Sequence, residues 1–378
     1  MAVTLADVAA RAGVSAATVS RVLSGNYPVA GATRSRVLRA VEELEYVVNG
    51  PASSLAAATS DLVGVLVNDI ADPFFGIMAS AVQSEMGPEK AGGKLAVVCN
   101  TGGSPERELT YLTLLQRQRA AAVVLTGSAV EDPGHAEALA ARLRRLAAAG
   151  TRVVLCGRPP LPEAGGDGGQ GGGKGAAGTG PGGTGAPLTV AFDNRGGARR
   201  LTEHLLALGH RRIGYVAGPA ERTTTRHRLE GHRAALADHD RDHGRDHGQG
   251  LLAEADRLTV HGAYDRSSGY DGALELLRRE PGLTAVLAAN DTVALGVCAA
   301  LREAGLSIPG DVSVAGFDDL PFSADASPSL TTVRIPLHEA GARAGRLALG
   351  RESAPPGDVA TVRTELMVRA STAAPRTD

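Results

Sequence analysis

The sequence predicts an all-α helix-turn-helix headpiece at the N-terminus, followed by a two-lobed α/β core built on two doubly wound parallel sheets. Three observations predict it: two short amphipathic helical periods separated by Gly13, a third helical period beginning near Thr33, and, from Leu62 on, alternation of short apolar runs with helix-length segments. The boundaries that follow are 1–48 for the headpiece, 49–60 for a hinge helix or linker, and 61–378 for the core. Within the core, one lobe takes about 61–192 plus 334–361 and the other about 193–333 plus 362–376.

In the headpiece, Leu5, Val8, Ala9 and Ala12 recur at i, i+3, i+4 and i+7, which gives one apolar helical face. Thr4 with Asp7 three residues on reads as a capping box. Gly13 permits the turn, Val14 plugs between helices, and Ser15 is a good N-cap for a second helix that turns Val19, Val22 and Leu23 inward. That helix leaves Ser15, Ala16, Ala17, Thr18, Ser20 and Arg21 on its outer face, a set able to enter a major groove. Only Arg21 can make a bidentate contact to guanine, and the two alanines reach at most thymine methyls. A third helix turns Val37, Ala40, Val41 and Leu44 inward and frees Arg34 and Arg36 for phosphates.

Composition bounds the rest. With 378 residues, 43% of them hydrophobic, there is enough chain for two or three cored domains. A net charge of −2 excludes a polybasic protein, so any contact with nucleic acid is local to one face. Cys99, Cys156 and Cys298 stand alone beside apolar runs, the pattern of buried reduced thiols. The absence of a basic-then-apolar leader and of any eighteen-residue apolar run leads us to expect a cytoplasmic protein without membrane contact.

Apolar runs at Leu62–Val67, Leu95–Cys99, Ala121–Leu125, Val153–Cys156, Leu188–Phe192, Arg212–Val216, Asp256–Val260, Ala285–Ala288 and Val312–Gly316 read as strands, with a final strand at Val362–Val368. Pro105–Arg119, Ala136–Ala149, Gly196–Leu208, Gly269–Glu280 and Thr292–Ala304 read as the helices between them. Residues 163–187, mostly Gly, cannot bury a core and read as a disordered insertion. Gly173-Lys174 within it is no phosphate loop, because Gly175 replaces the Ser or Thr such a loop requires and no helix follows. In Asp238–Gly248, His239, His243 and His247 could share a helical face and chelate a metal, but Gly244 and Gly248 favour a polar loop. No metal, cofactor or catalytic nucleophile is expected, and the chain does not read as an enzyme.

Taken together, Asp7-Val8-Ala9, Ala12-Gly13-Val14-Ser15, Thr18-Val19-Ser20-Arg21-Val22-Leu23, Thr33-Arg34, Tyr46 and Asn49 resemble the headpiece of the LacI/GalR family of bacterial transcription regulators. Asp72-Pro-Phe-Phe75, Val190-Ala-Phe-Asp-Asn194, Ala289-Asn-Asp291, Gly316-Phe-Asp-Asp319 and Pro328-Ser-Leu-Thr-Thr-Val-Arg334 are similar to that family's periplasmic-binding-protein-like core. The resemblance implies a homodimeric repressor on a palindromic double-stranded operator, controlled by a small effector, a sugar or related metabolite, between the lobes. It nominates Thr4, Ser15, Ala16, Ala17, Thr18, Ser20, Arg21, Asn26, Thr33, Arg34, Asn49, Ala52 and Leu55 for DNA, with Leu55 as a minor-groove wedge. For the effector it nominates Asn68, Asp72, Phe74, Thr224, Arg228, Tyr264, Asn290 and Asp318, at carboxyl ends of strands. Phe74 reads also as core, Asn290 also as a turn former, and Arg228 and Asp318 also as surface ions. Three positions depart from the pattern: Ala30 lacks the usual cap for the third helix, Val48 stands where Pro is usual, and Gly157 replaces a carboxylate. A transport sugar-binding protein would share the core but need an export signal and no headpiece.

Overall fold

The computed structural model describes residues 3–24, 28–46, 60–87, 93–161, 186–244 and 250–376. They form two compact units divided after Ser60.

Among its described residues, the first unit has three helices, α1 (Leu5–Ala12), α2 (Ala16–Ser24) and α3 (Gly31–Glu43). Thr4 and Asp7 close the capping box: the Asp7 carboxylate accepts from the Thr4 amide at 2.8 Å, and the Thr4 hydroxyl accepts from the Asp7 amide at 3.4 Å. Gly13 adopts φ 64°, the left-handed turn that glycine enters without steric cost. Ser15 Oγ accepts from the Thr18 amide at 3.2 Å and so caps α2. Val8, Ala9, Ala12, Val19, Val22, Val37 and Ala40 are buried together, with Val14, Leu23, Val41 and Leu44 packed against them. Without any side-chain cap at Ala30, α3 still begins at Gly31, because burial of Val37 and Ala40 anchors it.

The second unit contains β1 (Leu62–Val67), α4 (Pro73–Ser84), β2 (Leu95–Asn100), α5 (Pro105–Arg117), β3 (Ala122–Thr126), α6 (Pro133–Ala148), β4 (Arg152–Cys156) and β5 (Leu188–Phe192). These continue into α7 (Asn194–Ala207), β6 (Ile213–Ala217), α8 (Thr223–Asp242), α9 (Leu251–Ala255), β7 (Thr259–His261), α10 (Arg266–Arg279), β8 (Ala285–Ala288), α11 (Asp291–Glu303) and β9 (Ser313–Ala315). Last come α12 (Phe322–Asp325), β10 (Thr332–Arg334), α13 (Leu337–Leu349), β11 (Val359–Val362) and β12 (Glu365–Met367).

Two parallel sheets result, one ordered β11-β5-β4-β3-β1-β2 and one ordered β7-β6-β8-β9. Val65 stands opposite Val98 on one side and Val124 on the other, a register that stacks valines across the sheet. Both faces of the sheet are buried: Val63, Val65 and Val67 belong to one cluster and Leu66, Val123 and Leu125 to another. Such strands read as unbroken apolar runs, the signal present in the sequence. Around the second sheet, α10 and α11 approach so closely that a Cβ on Gly296 would lie 1.9 Å from the Arg266 carbonyl oxygen.

Several expectations need correction. The single final strand at Val362–Val368 is two strands: β11 pairs in parallel with β5, while β12 pairs antiparallel with β10. Period and β propensity cannot detect a crossover between sheets inside seven residues. The run at Asp256–Val260 is displaced to Thr259–His261. The polar stretch from Asp238 is helical to Asp242, because buried Leu229, His232, Ala235 and Leu236 hold α8 in place. Asp240 is buried and accepts from the amides of Leu251 and Leu252, both at 2.9 Å, which caps α9. The rings of His239 and His243 lie 4.0 Å apart, while His247 falls outside the described residues. No cluster of three metal-ligating side chains occurs among the described residues. The insertion at 163–187 lies outside them apart from its last two residues, 186 and 187.

Candidate functional site

The outer surface of the helical unit carries Ser15, Ala16, Ala17, Ser20 and Arg21 exposed on α2, with Thr18 half-buried. Ser15 Oγ lies 2.9 Å from Thr18 Oγ1, so the two hydroxyls share a bond at the N-terminus of the helix. Thr4 and Arg34 are also exposed, and Thr33 is half-buried. Arg11 pairs with Glu43, which ties α1 to the end of α3 on another side. Asn26, Asn49, Ala52 and Leu55 lie outside the described residues.

In the second unit, the carboxyl ends of the strands converge on a cavity of about 530 Å³. Asn68, Asp72, Phe74, Thr224, Arg228, Tyr264, Asn290 and Asp318 all line it. Local rules explain their placement. Asp72 is the N-cap of α4 and accepts from the Phe74 amide at 2.9 Å. Asn290 caps α11 through the Val293 amide at 2.8 Å, so it is a turn former and a wall residue at once. Phe74 likewise both packs against the core and faces the cavity.

Arg228 has a protein partner at each nitrogen and lines the cavity. Its Nε donates to Asn194 Oδ1 at 2.9 Å, its Nη2 to Asp318 Oδ1 at 2.9 Å, and its Nη1 to the Ala289 carbonyl, while its plane lies 3.7 Å over the Phe317 ring. Asp318 holds a left-handed backbone, φ 106°, where β9 passes beside β10. Burial pushes its carboxyl up to about 7 against the pull of Arg228, and nearby Asp291 and Asp72 push the same way. Asp291 sits behind this wall and accepts from the Leu320 amide, the Ser323 hydroxyl and the Thr332 hydroxyl; burial outweighs those bonds and raises it to about 6. Burial also raises Asp72 and Tyr264, whose hydroxyl lies 2.6 Å from Thr225 Oγ1.

Sequence reasoning did not nominate Phe192, Asn194, Arg222 or Thr292, which also line the cavity. Phe192 and Asn194 stand inside the Phe-Asp-Asn stretch at the end of β5, so a signal for them was present. Phe192 packs edge-on to Phe74 at 6.4 Å. It also explains Gly157: a Cβ there would lie 2.9 Å from the Phe192 ring, at φ 84°. An aromatic edge thus occupies the ground where a larger side chain at 157 would stand. Thr292 Oγ1 is buried without a hydrogen-bond partner among the described residues.

A helix-turn-helix unit and a two-lobed α/β unit with a polar, aromatic-walled cavity between its lobes define a ligand-responsive DNA-binding transcription regulator. Residues 4–49 match the bacterial regulatory proteins of the lacI family, and residues 202–372 match the periplasmic binding protein-like domain. The chain belongs to the lacI family of bacterial regulatory proteins. It is 32% identical over 369 residues to the HTH-type transcriptional regulator GalR of Escherichia coli, covering 97% of this chain and 94% of that one. It is 35% identical over 378 residues to the regulator MalR of Streptomyces coelicolor, covering 99% and 97%. The lac repressor dimer bound to operator and the anti-inducer ONPF superposes with a TM-score of 0.72 at 25% identity, over 99% of this chain and 100% of that one. The complex of the transcriptional regulator CelR with cellobiose superposes with a TM-score of 0.61 at 30% identity, over 98% and 99%. Among the described residues, no helix is long and apolar enough to cross a membrane.

Proposed function

We propose that the chain is a homodimeric repressor that holds a palindromic operator with its headpieces and releases it when a sugar or related metabolite fills the interlobe cavity. The observation that carries the effector reading is the wall itself. Arg228, Asp318, Asn290 and Asp72 present donors and acceptors between the flat faces of Phe74, Phe192 and Tyr264, the pairing of polar edge and apolar face that a pyranose offers. The cellobiose complex of CelR supports this ligand class.

For DNA, Arg21 reads a guanine edge, Ser15, Thr18 and Ser20 meet phosphates or bases, and Ala16 and Ala17 add only apolar contact. Thr4, Asn26, Thr33, Arg34 and Asn49 position the headpiece on the backbone, and Leu55 with Ala52 acts at the minor groove. One headpiece reads one half-site, so a two-fold pair is needed for a palindrome. The operator-bound dimer of the lac repressor supports that assembly. So does the edge strand β2 of the six-stranded sheet, where Leu95 is 64% exposed and Val98 39%. We read the protein as non-enzymatic and as acting in the cytoplasm, where its DNA is.

The test is selection of binding sites from a random duplex library by the full chain, alongside a variant lacking residues 1–58. Enrichment of a two-fold symmetric sequence by the full chain alone supports the reading. Equal enrichment by the truncated chain overturns it. A thermal-shift series with cellobiose, maltose, galactose and ribose tests the effector class. Stabilisation by none of them, but by nucleosides or amino acids, removes the sugar assignment.

A further inference from the structure

The two lobes are joined at the connections after β5, β10 and β11, all at one side of the cleft. A second and different set of contacts spans the cleft elsewhere. Residues 129–131, which follow β3 in one lobe, pair antiparallel with residues 221–223, which lead into α8 in the other, through a bridge between Val130 and Arg222. The Glu131 amide donates to the Glu221 carbonyl at 2.7 Å, and the Thr223 amide to the Ala129 carbonyl at 3.1 Å. The Ala129 amide donates to Thr223 Oγ1 at 3.0 Å. Outside this short ladder, Arg226 Nε donates to Glu131 Oε1 at 2.6 Å. Inside it, Arg222 reaches across to the Gly103 carbonyl at 2.7 Å and also lines the cavity.

We propose that the backbone ladder between 129–131 and 221–223, with the Arg226–Glu131 pair outside it, forms a clasp that sets the open–closed balance of the cleft, and with it effector affinity. This rests on the reading of the cavity as the effector site.

Topology gives the clasp its leverage. β3 is separated from β5 by β4, and β6 from β9 by β8, so the clasp stands two strands away from the connections in each lobe. At about 4.8 Å per strand the lever arm is on the order of 10 Å, and a hinge rotation of about 20° separates the segments by roughly 3 Å. That is enough to break every bond in the ladder.

The chemistry makes release easy to reverse. Three backbone amides lose protein partners and gain water on opening. Arg226 keeps Glu230, four residues on in its own helix and 2.8 Å away, so no buried charge is orphaned. A contact made of backbone bonds around the buried Thr223 and one exposed ion pair, with no hydrophobic seam, can bias a hinge without locking it.

Thr223 offers a clean lesion. As the first residue of α8 it occupies the position where proline is favoured, and Arg222 before it is already extended, at φ −104° and ψ 131°. Thr223→Pro deletes both of its bonds to Ala129 and keeps the helix start. The test uses the full chain without effector, spin-labelled through Glu137→Cys on α6 and Asp271→Cys on α10, with Arg226→Ala as a second variant and Arg199→Ala as a control. Arg199 pairs with Glu203 and Asp238, all within one lobe.

Thr223→Pro should add a longer interlobe distance and speed hydrogen exchange at the Ala129 and Glu131 amides at least tenfold. Arg226→Ala should speed that exchange about two- to fivefold, as an exposed pair allows. Arg199→Ala should leave both readouts unchanged. An unchanged distance distribution in Thr223→Pro overturns the proposal. So does exchange at Ala129 and Glu131 that already runs at the open-chain rate in the parent protein. Neither readout involves DNA or effector, so a failed clasp is distinct from a failed assignment of the site.

Discussion

Arg228 Nη2 stands 2.9 Å from Asp318 Oδ1 with both side chains 4% exposed, and this pair ties α8 to the left-handed turn after β9. Burial of two charges is costly unless their bonding is complete, and here the guanidinium has a partner at each nitrogen. Arg228→Ala leaves Asp318 without its partner and should destabilise the second unit by about 3–5 kcal/mol. The double variant Arg228→Met, Asp318→Leu should be milder than Arg228→Ala alone. Urea unfolding followed by circular dichroism checks both, and a double variant worse than either single one would refute the account.

Asp318, Asp291 and Asp72 all have raised pKa values in the fold, with burial the main cause. A carboxyl raised in this way holds more protons folded than unfolded, so its contribution is complete below about pH 4 and is lost as pH climbs to about 7. Glu108 works in the opposite sense: burial would raise it, but Arg158 and His135 outweigh burial and hold it down at about 2. Its contribution is full above about pH 4.5 and fades as pH falls towards 2. Asp318→Asn should flatten the fall in stability between pH 4 and 7 and leave the acid limb unchanged, as read from melting temperatures across pH.

Gly157→Asp combines a strained backbone at φ 84° with a Cβ 2.9 Å from the Phe192 ring. It should cost about 1–3 kcal/mol and turn Phe192 away from Phe74. Pairing it with Phe192→Ala should recover the clash part of that loss but not the backbone part. Thermal melts of the two single variants and the double variant separate these terms.

In the headpiece, Ala30→Ser supplies the missing cap of α3 and should stabilise it by about 0.5–1 kcal/mol. Thr4→Ala removes the capping box of α1 and should cost about 1 kcal/mol. Hydrogen exchange within residues 3–46 of the full chain reads both changes. The same sign for the two substitutions would contradict the capping argument.

Arg21→Ala should weaken binding to the selected operator by about 10- to 100-fold and relax the base preference at one position. Arg34→Ala should weaken all duplexes alike and reduce the salt dependence by about one counterion. Fluorescence anisotropy across a salt series distinguishes the two patterns.

Much of the architecture was legible because its signals are local. Thr4, Asp7, Gly13 and Ser15 announce caps and a turn by residue type alone, and the valine runs of β1 and β3 announce strands buried on both faces. The eight cavity residues were legible only through position, as residues following strand ends, since nothing in an isolated Asp72 or Asn290 separates a cap from a ligand contact. Both turn out to be caps and wall residues together. The helical span to Asp242 was illegible because its polar sequence argues against it and distant packing overrules propensity.

By itself, then, the sequence determined the three-helix headpiece, the alternation of strand and helix, and the chemical types available at the strand ends. Tertiary structure alone decided that Val359–Val362 and Glu365–Met367 belong to different sheets, that Phe192 fills the space beside Gly157, and that Arg228 meets Asp318. The reason is separation along the chain. Helix caps and strand periods act within a few residues, whereas Arg228 and Asp318 stand 90 residues apart and meet only once two sheets and their connections are in place.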